Sequence, residues 1–112
     1  GSDKTPNAGG YSFNKPYHQW IKRESIDSKQ LYNKFLNWIS GEFDLYLQEE
    51  LNGIEVFFPN GKFSIKAIEE KKKNIEIEIN LRSKDLKSIN TIGNQIISIH
   101  HQIETMYSTT VE

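Results

Sequence analysis

Cysteine is absent from the 112 residues, which excludes a disulfide scaffold, a zinc–thiolate site and a cysteine nucleophile together. An excess of either charge is also missing. Fourteen Lys and Arg stand against 15 Asp and Glu, a formal charge of -1, so no overall positive field gathers phosphates. Electrostatic recognition must therefore be local. No apolar run approaches the roughly 20 residues that span a bilayer, which excludes an integral membrane helix and leaves contact with an anionic membrane surface open. The sequence also lacks a G-x-S-x-G elbow, a Walker glycine loop, a G-x-G-x-x-G turn and an H-E-x-x-H helix. Pro59-Asn60-Gly61 before Lys62 superficially suggests a phosphate loop, but it opens a strand and is too short to cradle a phosphate. Catalysis is the weaker class, and no cofactor is expected.

The chain opens on Gly1-Ser2, which has the form of a protease scar, and runs through a polar stretch with Pro6, Gly9 and Gly10. Residues 1–10 are expected to be a disordered linker or tag remnant and 11–112 a single domain, part of a longer polypeptide or assembly. From Tyr11 to Glu24 the rings of Tyr11, Phe13, Tyr17 and Trp20 interleave with Lys15, His18, Lys22 and Arg23. This segment reads as an extended arm or edge strand covering apolar surface. The competing reading is an aromatic and basic patch for nucleic acid or lipid headgroups. Pro16 argues against a helix here.

Asp27, with Gln30 three residues on, has the form of a helix N-cap. Leu31, Phe35, Leu36 and Ile39 then recur at helical spacing, and Ser40-Gly41 supplies a stop, which predicts a helix over 28–40. Phe43, Leu45 and Leu47 alternate with polar residues as in a half-buried strand, the alternative being helix continuation through 43–51. Asn52-Gly53 is a tight-hairpin signal. Strands follow at Ile54–Phe58, at 62–68 with Phe63, Ile65 and Ala67 on one side, and at 75–82, where Ile75, Ile77, Ile79 and Leu81 alternate with Glu76, Glu78, Asn80 and Arg82. A polar loop, Glu69–Asn74, joins the last two. Ser83 is the expected cap of a long helix over 84–107, in which Ile89, Ile92, Ile96, Ile99, Ile103 and Met106 form a stripe wide enough for the core and for a partner helix. The fold class is α+β: helix, antiparallel β-meander of three to four strands, and a long C-terminal helix on one sheet face.

Candidate chemistry is sparse. His100 and His101 are adjacent and point about 100° apart on a helix. His100 with Glu104 has ligand spacing but no evident third ligand, so no metal site is expected and His100 reads as a partly buried, hydrogen-bonded ring. Glu76 and Glu78 share a strand side, where cross-strand ion pairs with Lys62 and Lys66 explain them better than acid–base work. Residues 41–60 carry five acids and no base, whereas 61–87 carry eight bases and five acids. Lys71-Lys72-Lys73 could meet phosphates or be a solvated turn. Alternation places Tyr46 and Phe57 opposite the buried row, beside Glu55, Lys62, Ser64, Lys66 and Arg82. Either the 11–24 arm covers that face or it is a docking surface.

In element order alone, helix then antiparallel strands then helix, the chain resembles two families. One is the Alu-domain proteins of the signal recognition particle, which implies RNA binding through a basic sheet face. The other is the C-terminal kinase-associated modules, which implies binding of anionic lipid or a neighbouring kinase domain. Glu55, Glu76 and Glu78 on the open sheet face speak against the RNA case. The sequence points to a non-catalytic protein-binding module whose partner is another chain, a second copy or a different protein, with contacts at Tyr46, Phe57, Ile99, Ile103 and Met106. The alternative is a phosphate-reading module for RNA or anionic lipid using Lys22, Arg23, Lys71, Lys72 and Lys73.

Overall fold

A computed structural model describes residues 9–50 and 52–108. The linker expected over 1–10 lies outside the described residues except for Gly9 and Gly10. The elements run β1 (Gly10–Asn14), β2 (Tyr17–Ile26), α1 (Lys29–Glu42), β3 (Leu47–Glu49), β4 (Gly53–Phe58), β5 (Gly61–Glu70), β6 (Ile75–Ser83) and α2 (Leu86–Ser108). All strands pair antiparallel in one six-stranded sheet, in the order β1-β2-β6-β5-β4-β3. The α+β class stands, but a meander of three to four strands understates the sheet. The 11–24 segment is a hairpin that extends the sheet along β6, with His18 opposite Ser83 and Ile26 opposite Ile75. It therefore widens the sheet without covering it. This hairpin ahead of α1 also departs from the element order of the two families that the chain resembles.

Both helices lie on one side of the sheet. Ile75, Ile77, Ile79 and Leu81 of β6, Phe63 and Ile65 of β5, and Ile54 and Val56 of β4 meet Phe35 and Ile39 of α1 and Ile89, Ile96, Ile99 and Ile103 of α2 in a single apolar core. Trp20 of β2 is fully buried there too. Each such side chain contributes about 1.5–3 kcal/mol by leaving water. The core is thus the reason that alternation in β4, in β5 as far as Ala67 and in β6 locks the register: a one-residue slip would turn the buried isoleucines outward.

Helix boundaries differ from expectation by local hydrogen bonding. Ser28, not Asp27, caps α1, its Oγ accepting from Leu31 N at 3.1 Å. Gly41 does not stop the helix, which continues to Glu42 before the Phe43 N–H donates to Ile39 O. An exposed glycine lowers helix stability by only about 1 kcal/mol, and burial of Phe43 offsets it. The expected strand over 43–51 shrinks to Leu47–Glu49, with Leu51 outside the described residues. Leu45 and Leu47 are 91% and 68% exposed, so the alternation from Phe43 marks no buried row. Gln48 instead holds this segment down: its amide donates to Ser40 O at 3.0 Å and Phe43 O at 2.7 Å, and its oxygen accepts from Ser40 Oγ. These bonds satisfy carbonyls that a helix end leaves orphaned.

At α2 the cap is Asp85, not Ser83. Asp85 Oδ1 accepts from Lys87 N at 3.1 Å, while Ser83 is the buried last residue of β6 and its Oγ accepts from Asp85 N. Asn52 and Gly53 both have positive φ, at 57° and 131°. The β3–β4 ladder, however, closes at Glu49 opposite Glu55, so the connection is longer than a two-residue turn. Pro59-Asn60 is the tight one: Phe58 faces Gly61 and Asn60 has φ 76°, the pattern of a type II turn.

Candidate functional site

Directly paired residues of antiparallel strands share a side of the sheet, so the ladders define the side that neither helix covers among the described residues. One row crosses it as Gln19, Arg82, Lys62, Phe57 and Leu47, and the next as Ile21, Asn80, Ser64, Glu55 and Glu49. A third holds Arg23, Glu78 and Lys66. Both cations of the lower rows are paired, Arg23 Nε lying 3.4 Å from Glu78 and Lys66 Nζ 3.5 Å from Glu55, and Glu49 leaves these rows with one acid in excess. Cross-strand ion pairs thus occur, but with other partners than Lys62 and Lys66 pairing Glu76 and Glu78. Gln19 Nε2 donates to Asn80 Oδ1 at 2.9 Å.

The upper row is different. Lys62 and Arg82 are register partners, a like-charge apposition that costs stability unless something compensates it. The Lys84 N–H donates to Asn60 O at 2.9 Å, which ties the end of β6 to the Pro59–Gly61 turn and brings a third cation to the same corner. Gly61 permits this closeness, because a Cβ there would collide with the Arg82 carbonyl oxygen. Tyr17 extends the side chains of β2 over the corner. The Arg82 guanidinium sits 4.4 Å and Lys84 Nζ 5.8 Å from the Tyr17 ring centre, and Lys62 Nζ sits 5.7 Å from that of Phe57. Together they border a groove of about 360 Å³ between Tyr17 and Phe57, with no carboxylate on its lining among the described residues.

The residues expected to bind do not come together as expected. Ile99 and Ile103 are 4% and 2% exposed: the helical seam is spent on the core, and of its candidates only Met106 reaches solvent, at 50%. Tyr46 and Phe57 do not share a side. Tyr46 packs near Phe43 and Phe58 at the helical side, because residues 43–46 form a turn and not a strand. The five expected phosphate ligands are likewise dispersed. Lys22 is on the helical side, 2.7 Å from Glu24. Arg23 is on the open side with Glu78. Lys71, Lys72 and Lys73 occupy the β5–β6 turn, in a depression shared with Asp27 and Glu70. The aromatic arm also splits: Tyr11 Oη lies 2.7 Å from His18 Nδ1 and Phe13 packs on the same ring, on the side opposite Tyr17.

His100 and Tyr32 each bury a polar group on the helical side. His100 is buried edge-on to Phe35, with Nδ1 3.9 Å from Glu24 and 3.7 Å from Glu104. Its Nε2 has no hydrogen-bond partner among the described residues, so the ring is more buried and less bonded than its place at the stripe's border suggests. The Tyr32 hydroxyl also has none. Burial pushes its pKa above the ordinary 10.0, an effect that the Ala67 backbone reduces and Glu70 reinforces. Among the described residues no group of three or more His, Asp or Glu is placed to hold a metal ion, and no helix is long and apolar enough to cross a membrane.

Sequence reasoning placed Lys62 and Arg82 on one face but did not single them out, and it missed Lys84 and Tyr17 as their companions. The available signal was the alternation of Lys62 and Arg82 in consecutive strands, which makes them neighbours once the hairpin register is fixed. Tyr17 required knowledge that β2 pairs with β6. Comparison with family models finds no match for the chain, and comparison with curated proteins finds none either.

Proposed function

We propose that this chain is a non-catalytic interaction module that docks a partner protein on the uncovered face of its sheet. The observation behind this reading is the composition of that face: Phe57 and Leu47 stand in register at one edge, and three cations border the adjoining groove, which has no carboxylate on its lining among the described residues. An apolar anchor with a charged surround is the anatomy of a protein interface. The charge favours a partner segment bearing acidic groups. Binding of RNA or anionic lipid draws on the same cations, but Glu49, Glu55 and Glu78 stand in the adjoining rows, where an extended polyanion or a flat bilayer would meet them.

A photo-crosslinking residue at Ser64, central on the open face, tests this against one at Asn94 on the outer side of α2. In extract of the native cell, the Ser64 position is expected to give a discrete protein adduct that survives nuclease and that Asn94 does not give. An adduct that depends on RNA, or one formed equally from Asn94, would overturn the reading.

A further inference from the structure

We propose that the groove between Tyr17 and Phe57 is an anion site for a phosphate monoester, carried by a side chain of the docking protein; this rests on the open-face reading above. The ligand class follows from charge. Lys62, Arg82 and Lys84 form no ion pair among the described residues, although both neighbouring cations in the lower rows do. A single carboxylate satisfies one bidentate arginine. Three cations around one groove match a group with about -1.5 to -2 charges and three acceptor oxygens. Arg82 offers a planar fork and the two lysines act as mobile point charges. A bound dianion would also relieve the apposition of Lys62 and Arg82 across the ladder.

The rings weigh against nucleic acid as the phosphate carrier. The rings of Tyr17 and Phe57 already carry cations, at 4.4 Å for Arg82 over Tyr17 and 5.7 Å for Lys62 over Phe57, which leaves less ring face for stacking bases. They hold the cations in place and present apolar edges to the stem that bears the phosphate. At about 360 Å³ the groove exceeds a bare phosphate and sits at the small end of ligand pockets. One phosphorylated side chain fits this size.

The test is a titration of ¹⁵N-labelled full chain with phenyl phosphate, inorganic phosphate and benzoate, followed by amide shifts. Phenyl phosphate is expected to bind most tightly and to move the amides of Tyr17, Asn60–Lys62 and Arg82–Lys84. Arg82→Gln, and independently Lys84→Gln, are expected to weaken it about tenfold, the loss of one charge-assisted hydrogen bond, with no loss of thermal stability. Shifts centred on Lys71–Lys73, benzoate binding as well as phenyl phosphate, or indifference to both variants would overturn the site. So would sedimentation with phosphatidylserine vesicles that Arg82→Gln abolishes, since a bilayer would then be the phosphate source. If the site fails while Ser64 still yields its protein adduct, only the phosphate chemistry is lost; if the adduct fails too, the open-face reading falls with it.

Discussion

Replacing Phe35 with alanine lowers the free energy of unfolding by about 3–5 kcal/mol. Phe35 is completely buried, projects from the centre of α1, and meets the His100 ring of α2 edge-on at 5.7 Å between centres. Truncation removes its transfer free energy and leaves a cavity between two helices and a sheet that cannot collapse independently. It also strips the apolar cover from a histidine whose Nε2 has no bonded partner among the described residues. For a small domain with about 5–15 kcal/mol in total, this is a large fraction. Urea unfolding with an unchanged slope measures it, and a loss under about 1.5 kcal/mol would mean that α1 does not close the core as described.

The second large effect is a backbone one. Gly53→Ala is expected to cost about 2–5 kcal/mol, the sum of conformational strain and a forced displacement. Gly53 has φ 131°, a conformation that L residues scarcely enter. An added Cβ would also collide with the Ile65 carbonyl oxygen of β5, at the first residue of β4, and drawing the strands apart there would disturb the buried pair Ile54 and Ile65. Asn52→Ala next door is the control. Its φ of 57° is an ordinary left-handed conformation costing roughly 1–2 kcal/mol for alanine. Equal losses for the two variants would contradict the packing part of the argument.

Legibility in the sequence followed the distance over which information had to travel. Strands β5 and β6 were readable because alternation is strict in β6 and in β5 as far as Ala67, and their hairpin is local; the irregularity after Ala67 hid the last residues of β5, Glu69 and Glu70, which read as loop. The β1–β2 hairpin was not, since β2 finds its partner about sixty residues later, at His18 opposite Ser83. Its own pattern is also blurred: Lys22 and Glu24 lie on the helical side as an ion pair, so the buried side does not read as apolar. Residues 43–47 misled for the opposite reason. Their alternation is present in the sequence, but Phe43 is the end of a helix and Leu45 is a turn residue in solvent. The stripe of α2 is buried at Ile89, Ile96, Ile99 and Ile103 but not at Met106; how much of it the core consumes depends on α1 and on β2, which packs against α2 beside β6 and does not show in the local pattern. The groove inherited both difficulties, because Lys62, Arg82, Lys84 and Tyr17 converge only through a turn, a glycine contact and the nonlocal β2–β6 ladder.

Protein docking on the uncovered sheet face, and not on the outer side of α2, is tested most directly by two variants of the full chain in one capture experiment. Phe57→Asp places a carboxylate on the apolar anchor beside Lys62; Met106→Asp does the same on the exposed end of the helical stripe. With both folds verified by thermal unfolding, recovery of the protein that crosslinks from Ser64 should fall at least about tenfold for Phe57→Asp, as for the loss of an interface anchor, and stay unchanged for Met106→Asp. Retention by Phe57→Asp together with loss by Met106→Asp would contradict the open face as the docking surface.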